Sequence, residues 1–320
     1  MKILITGGMG LIGHNIVAKL QYEHDIVIVD NHTNYGFIPT KEIGYLINER
    51  RRKLHNYHNY LVDISNGENV DVVFNIFKPE LVIHCASFPR QKAVEADPAQ
   101  GARVMCEGLT NLLESCKKHG TRKFVYISSS MVYGDFETDV TEEAECKPIG
   151  QYGIFKYMGE KLVEDYSRRT GLEHTIIRPS AVYGEYDVED RVVSKFVLGA
   201  IRGTKLKVNG PDEVLDFTYV DDAATGIAQA ALSGNTKNKI YNITRSDTKL
   251  WTLLDAAHLS IELAGYGELE VGPRDLSFPK RGRLCIDKAI KDFEYSPKVD
   301  VPTGFKKYYD WLKASPFYNA

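Results

Sequence analysis

Tyr152 and Lys156 stand four residues apart in the stretch "GQYGIFKYMGEK", residues 150–161. At about 3.6 residues per turn, such a pair lies on one face of a helix. An ammonium beside a phenol favours the phenolate and lowers its pKa from an ordinary value of ~10. A phenol so tuned can exchange a proton with an alcohol near neutral pH. A surface helix with a solvated lysine would carry the same two residues, so the pair gains meaning only from its surroundings. Just upstream, "ISSSMVYG" (127–134) closes an apolar run. A hydroxyl of Ser129 or Ser130 there can bridge a substrate oxygen and the tyrosine.

A second constellation opens the chain. "ITGGMGLIGHN" (5–15) spaces Gly7, Gly10 and Gly13 as G-x-x-G-x-x-G between an apolar strand and an amphipathic helix. Gly7 permits a tight turn, Gly10 lets a pyrophosphate approach the backbone, and Gly13 lets the helix pack closely on the sheet. The helix N-terminus then offers N–H groups to phosphate. Asp30 ends the next strand, where a carboxylate accepts hydrogen bonds from ribose hydroxyls and repels a 2′-phosphate. No arginine follows within "DNHTNYG" (30–36). The expected cofactor is therefore NAD rather than NADP, with Asp63 in "YLVDIS" near its adenine. Tyr152 would then take a hydroxyl proton while hydride leaves the same carbon, and Lys156 would also hold the nicotinamide ribose.

These residues need a scaffold. Short Val- and Ile-rich runs at 2–6, 25–30, 80–87, 123–130 and 171–179 alternate with helical periods at 11–22 and 98–120 and with the Tyr152 helix. Strands that are apolar on both faces and alternate with helices predict a doubly wound parallel sheet of the Rossmann type, an α/β fold. After Arg178 the strand signals shorten to 205–210 and 239–244, around a helix at 221–232, with a last amphipathic helix at 302–315. The expected organisation is a dinucleotide-binding domain over 1–177, to which part of 214–245 returns. Residues 178–320 would form mainly a smaller, interleaved substrate subdomain.

Composition narrows the partners. The 320 residues carry 40 basic and 43 acidic side chains, a net charge of −3. That balance argues against nucleic acid, and the basic run "NERRRKLHNYHNY" (48–60) reads as a solvated helix entering a loop. Five unpatterned cysteines indicate reduced thiols, and nine histidines form no metal-binding pattern. No apolar run reaches membrane-span length. "MKILIT" opens directly on a strand, so a cytoplasmic location is expected.

Taken in order, "TGGMGLIG", "SSSMVYG", "YGIFK", "RPSAVYG" and "LDFTYVDD" resemble the extended short-chain dehydrogenase/reductase family, the UDP-glucose 4-epimerase-like group in particular. The resemblance covers almost the whole chain. It implies a Ser–Tyr–Lys set: Tyr152 as acid/base, Lys156 as its tuner, and Ser129 or Ser130 as the serine. It implies NAD contacts from Gly7, Gly10, Leu11, Ile12, Gly13, Asp30, Asn31, Asp63 and Ile64. Further contacts would come from Cys85, Ala86, Ser87, Tyr152, Lys156 and Pro179. A nucleotide-diphosphate sugar would meet Arg90, Ser130, Met131, Ala181 and Arg281, with Arg283 as an alternative to Arg281. His84, Tyr133 and Tyr183 read as packing residues, and Trp251 and Trp311 as subdomain core.

The family's dehydratases place an acidic pair after the catalytic threonine, and its decarboxylases a glutamate at the second of these positions. Here Ser130 and Met131 stand there. An epimerase needs only the Ser–Tyr–Lys set, so a nucleotide-sugar 4-epimerase acting through a keto intermediate with tightly bound NAD is expected. A keto-sugar reductase and a non-catalytic dinucleotide sensor are the alternatives. The family's frequent Asn, Arg and Asn are replaced by Ala181, Leu215 and Met105. The resemblance also implies a homodimer through helices 98–119 and 152–170.

Overall fold

In the computed structural model, which describes residues 1–88 and 90–318, the apolar runs stack edge to edge. The strands are β1 (Lys2–Thr6), β2 (Asp25–Asp30), β3 (His58–Leu61), β4 (Leu81–His84), β5 (Lys123–Ile127) and β6 (Glu173–Pro179). They continue with β7 (Val182–Tyr183), β8 (Leu206–Asn209), β9 (Thr218–Tyr219), β10 (Lys239–Ile243) and β11 (Leu269–Gly272). Seven form one sheet in the order β10-β6-β5-β4-β1-β2-β3, parallel throughout. β1 and β5 have little or no exposure beyond Lys2, as a sheet covered on both faces requires.

One apolar cluster packs Ile3, Ile5 and Ile28 against Ile16, Val17 and Ile227, residues of helices Leu11–Leu20 and Val220–Leu232. A second packs Leu4, Val27 and Phe124 against Phe74, Leu112 and Val163 on the other face. The chain runs outward from β1 to β3 on one side and from β4 to β10 on the other. The reversal therefore lies between β1 and β4, where a crevice opens at the carboxyl ends of the strands.

Beyond Pro179 a third cluster forms around Phe196, Val208, Phe217, Phe305 and Tyr308, with Trp251 and Trp311 packed on it. It is flanked by the two-stranded pairs β7–β9 and β8–β11. The excursion is interrupted: helix Val220–Leu232 returns to pack on the first helix, and β10 pairs with β6 at the edge of the main sheet.

Among the departures from the sequence reading, β4 ends at His84 short of residue 87, β3 (His58–Leu61) forms where a loop is expected, and two more bear on the site. The segment expected as one helix over 98–120 is helical from Pro98 to His119, but widens to a π-helix at Arg103–Glu107. The strand expected to reach Ser130 ends at Ile127. Ser129 is extended, and its side chain accepts from the Met131 amide, starting a 3₁₀ turn over Ser130–Tyr133.

Candidate active site

At Gly7 and Gly13 the loop leaves no room for a Cβ. A Cβ on Gly13 would lie 2.1 Å from the Gly7 carbonyl oxygen, and Gly7 itself has φ +64° beside the backbone of Ala86. The loop therefore folds tightly over β1 and leaves the N-terminus of helix Leu11–Leu20 open to the cleft. Asp30 closes the far side. Its carboxylate accepts from the Met9 amide at 2.9 Å and the His32 amide at 2.8 Å. This fixes it at the cleft wall with lone pairs remaining for ribose hydroxyls.

The long helix Gln151–Thr170 enters the cleft from the opposite side. Its first turn is fastened by Gln91, whose side-chain oxygen accepts from the Tyr152 amide at 3.2 Å. A Cβ on Gly153 would press within 2.8 Å of the Met131 carbonyl, so glycine there lets the helix lie against the turn after β5. Tyr152 is half-buried and Lys156 fully buried. The Lys156 ammonium donates to the Ile127 carbonyl at 2.8 Å and sits 5.8 Å from the centre of the Tyr152 ring.

Burial raises the pKa of the Tyr152 phenol; the positive charge of Arg191 and the Ser129 hydroxyl act against that rise. Burial also pushes Lys156 down to about 8, opposed by Cys85 and by the carboxylate of Glu160. The two serines are separated by their partners. Ser129 faces the Tyr152 hydroxyl, whereas the Ser130 hydroxyl donates to that of Ser180 at 3.2 Å.

One cleft gathers nearly all the side chains expected from sequence. Gly7, Gly10, Leu11, Ile12, Gly13, Asp30, Asn31, Ile64, Cys85, Ala86, Ser87 and Pro179 line its dinucleotide end. Ser129, Ser130, Met131, Tyr152, Lys156, Arg90, Ala181 and Arg281 line the other. Asp63 is the exception and does not line the cleft. Its carboxylate is taken up by the Ser65 amide and hydroxyl and by the Asn31 side chain, so it acts on the wall through Asn31.

Of the two arginine alternatives, Arg281 lines the cleft with a buried Nε that has no partner. Arg283 instead forms paired 2.8 Å hydrogen bonds with Asp139 away from it. Ala181 holds φ +39°, a left-handed conformation that an asparagine adopts more readily. Tyr133 and Tyr183 turn away from the cleft and bond to Asn242 and the Val301 carbonyl. His84 packs at a strand end, 2.7 Å from the Thr6 hydroxyl, and burial lowers it to about 3.

Among the cleft residues not singled out from sequence, Gln91, Arg191 and Arg50 bear on Tyr152 or on the glycine loop. Gln91 and Arg191 lie far from Tyr152 along the chain, and only the fold brings them to it. Arg50 corrects the reading of the basic run as solvated. It is 5% exposed and lines the cleft, donating to the carbonyls of Met9 at 2.7 Å and Tyr186 at 2.5 Å. Its spacing from Glu42 and Leu46 (positions 42, 46 and 50) marks the buried face of helix Thr40–Arg51. That periodicity was the available signal.

Among the described residues no cluster of metal-ligating side chains occurs, and no helix is long and apolar enough to cross a membrane.

Known proteins agree with this arrangement. A UDP-glucose 4-epimerase from Thermotoga maritima, solved with UDP-glucose, superposes with a TM-score of 0.87 at 28% identity, covering 98% of this chain and 99% of that one. The UDP-glucuronic acid 4-epimerase of Bacillus cereus, solved with UDP-glucuronic acid and NAD, superposes with a TM-score of 0.90 at 25% identity and the same coverage. A putative UDP-glucose 4-epimerase of Methanocaldococcus jannaschii is 29% identical across 97% of this chain and 98% of its own length. The model of the NAD dependent epimerase/dehydratase family matches residues 3–244, and the chain belongs to that family.

Proposed function

We propose that this chain is an NAD-dependent nucleotide-sugar 4-epimerase. The observation that carries the proposal is the joint placement of Ser129, Tyr152 and Lys156 at the strand ends, in one cleft with the glycine loop and Asp30. Residues 1–177, with the returning stretch around β10, serve the cofactor. Residues 178–320 mainly serve the sugar nucleotide.

NAD, when bound, supplies a hydride acceptor and donor. The protein's part is the proton and the geometry. Ser129 orients the sugar hydroxyl toward Tyr152, and the phenol oxygen removes its proton and later returns it. Lys156 holds the ribose and contributes positive charge, and Arg191 adds to it from the substrate side. This electrostatic help is needed because burial alone would keep the phenol protonated. Arg281, half-buried and with a buried Nε that has no partner among the described residues, suits the diphosphate. Ser130 and Met131 offer no acid or base for expelling water, which supports epimerisation over dehydration.

Ile154 and Met158, 47% and 37% exposed on the Tyr152 helix, support a homodimer through this face and helix 98–119. Five free cysteines support a reducing, cytoplasmic setting.

The test is a screen of UDP-, GDP-, CDP- and dTDP-sugars for interconversion without added cofactor. One pair interconverting, with NAD retained through purification, is the expected result. Turnover only with consumption of added NADH would mean a reductase. Dinucleotide binding without any turnover would mean a sensor.

A further inference from the structure

Glu160 lies one further turn beyond Lys156 on the helix face that carries Tyr152, and its side chain has no solvent exposure. One carboxylate oxygen accepts from the Ser128 hydroxyl at 2.5 Å and from Arg178 Nε at 3.0 Å. The other accepts from Arg178 Nη2 at 2.7 Å. Arg178 also donates to the Glu142 carbonyl and lies 4.7 Å over the Tyr133 ring.

Burying two charges costs several kcal/mol each before their attraction offsets it, and apolar replacements are often as stable. Stability alone therefore does not account for the pair; its position does. Ser128 immediately precedes Ser129. Arg178 immediately precedes Pro179, which together with Ser180 and Ala181 lines the cleft. Glu160 itself belongs to the helix of Tyr152 and Lys156. A single carboxylate thus ties together the three segments that form the floor of the site.

The groups facing Lys156 point the same way. Tyr152 and Tyr126 present ring faces, Tyr126 at 5.4 Å. His84 and Cys85 from β4 and its end, and Cys106 from the π-helix, are uncharged near neutral pH: burial lowers His84 and raises both thiols. Glu95, Arg103 and Glu107 on the packed helices are exposed. Cys85 and then Glu160 favour the ammonium, and of the two Glu160 is the carboxylate.

We propose, resting on the epimerase reading, that Glu160 is a positioning residue: locked by Arg178 and Ser128, it sets Ser129 against the helix that carries Tyr152 and Lys156. The test uses the NAD-loaded enzyme and two variants, Glu160→Gln and the double change Glu160→Gln with Arg178→Met. The second removes the charge pair without leaving an orphaned guanidinium and so guards against a fold failure in the first. Expected is a fall in kcat of about 10- to 100-fold with KM within about threefold. In Glu160→Gln the basic limb of the kcat–pH profile should also move to lower pH, because an anion near Lys156 is gone while the Arg178 cation stays.

A folded variant with unchanged kcat and an unmoved limb, differing from the parent only in melting temperature, would overturn the role and leave the pair purely structural. The parent assayed alongside separates the two ideas. An active parent with parent-like variants counts against Glu160 alone, whereas a parent that interconverts no nucleotide sugar overturns both.

Discussion

The Lys156 ammonium lies 5.8 Å from the centre of the Tyr152 ring and is anchored at 2.8 Å to the carbonyl of Ile127. The lysine therefore addresses the phenol across its ring face, while the Ser129 hydroxyl meets the phenol oxygen itself. Lys156 lies over the ring, but Arg191 and Ser129 are the groups that oppose the burial of the phenol, and the net shift is upward rather than the lowering expected from the Tyr152–Lys156 pair.

Tyr152→Phe removes the proton carrier and keeps the ring that packs in the cleft. We expect kcat to fall by about 10³-fold, within the usual range for a lost acid/base. NAD content and substrate affinity should stay close to the parent's. Steady-state kinetics with titration of bound NAD checks this; a variant retaining more than about a tenth of parental kcat would remove Tyr152 from the chemistry.

The serines can be told apart. Ser129→Ala deletes the hydroxyl facing Tyr152 and should cost about 10²-fold in kcat. Ser130→Ala deletes a bond to Ser180 and should cost less than about tenfold. The reverse ranking would assign the role to Ser130.

Raising the pH should move activity and stability in opposite directions. Burial lowers Lys156 from 10.5 to about 8. The native protein therefore loses this proton near pH 8, while the unfolded chain keeps it until near 10.5. The burial penalty is full below pH 8 and is relieved as pH rises toward 10.5, a gain of at most about 3 kcal/mol. The charge that assists Tyr152 disappears over the same interval. The kcat should thus decline above pH 8, and Lys156→Met should lose both this limb and the stability gain relative to the parent.

Arg50 bridges the Met9 carbonyl in the glycine loop and the Tyr186 carbonyl in the segment that carries Arg191. Tyr186 holds φ +70° and packs against His14 and Trp311. Arg50→Met takes away one of the two cations beside Asp187 and leaves Arg191, 3.9 Å from it; burial already raises that carboxyl to about 6. With the Met9 and Tyr186 carbonyls left unpaired, we expect a loss of about 2 kcal/mol in stability, faster release of NAD on dilution, and a raised KM. Parental NAD retention would show that the bridge does not hold the cofactor cleft.

The parallel sheet was readable because its strands are apolar on both faces: β1 and β2 have the bounds that their Val- and Ile-rich runs suggest. The glycine loop and Asp30 were readable because each demands a residue type at a fixed distance from a strand end. The π-helix at Arg103–Glu107 was not, since one extra residue in a turn barely disturbs a helical period. The turn that Asp63 forms with Ser65 was not readable, since the same aspartate in sequence serves a turn or a ligand equally well. Arg50 was hidden among neighbouring basic residues, and its helical spacing from Glu42 and Leu46 is what separates it from the exposed Arg51 and Arg52. Glu160 looked like an ordinary helix glutamate until β6 delivered Arg178 to it.

The most direct measurement follows hydride through turnover. The enzyme, purified without added cofactor, is given a nucleotide sugar deuterated at C4 in the presence of free unlabelled NADH. The account predicts interconversion with the label fully retained at C4 of the epimer and none in the free NADH pool, because hydride leaves and returns within one closed cleft. Label washing into the free pool, or product formed only as free NADH is consumed, would contradict it.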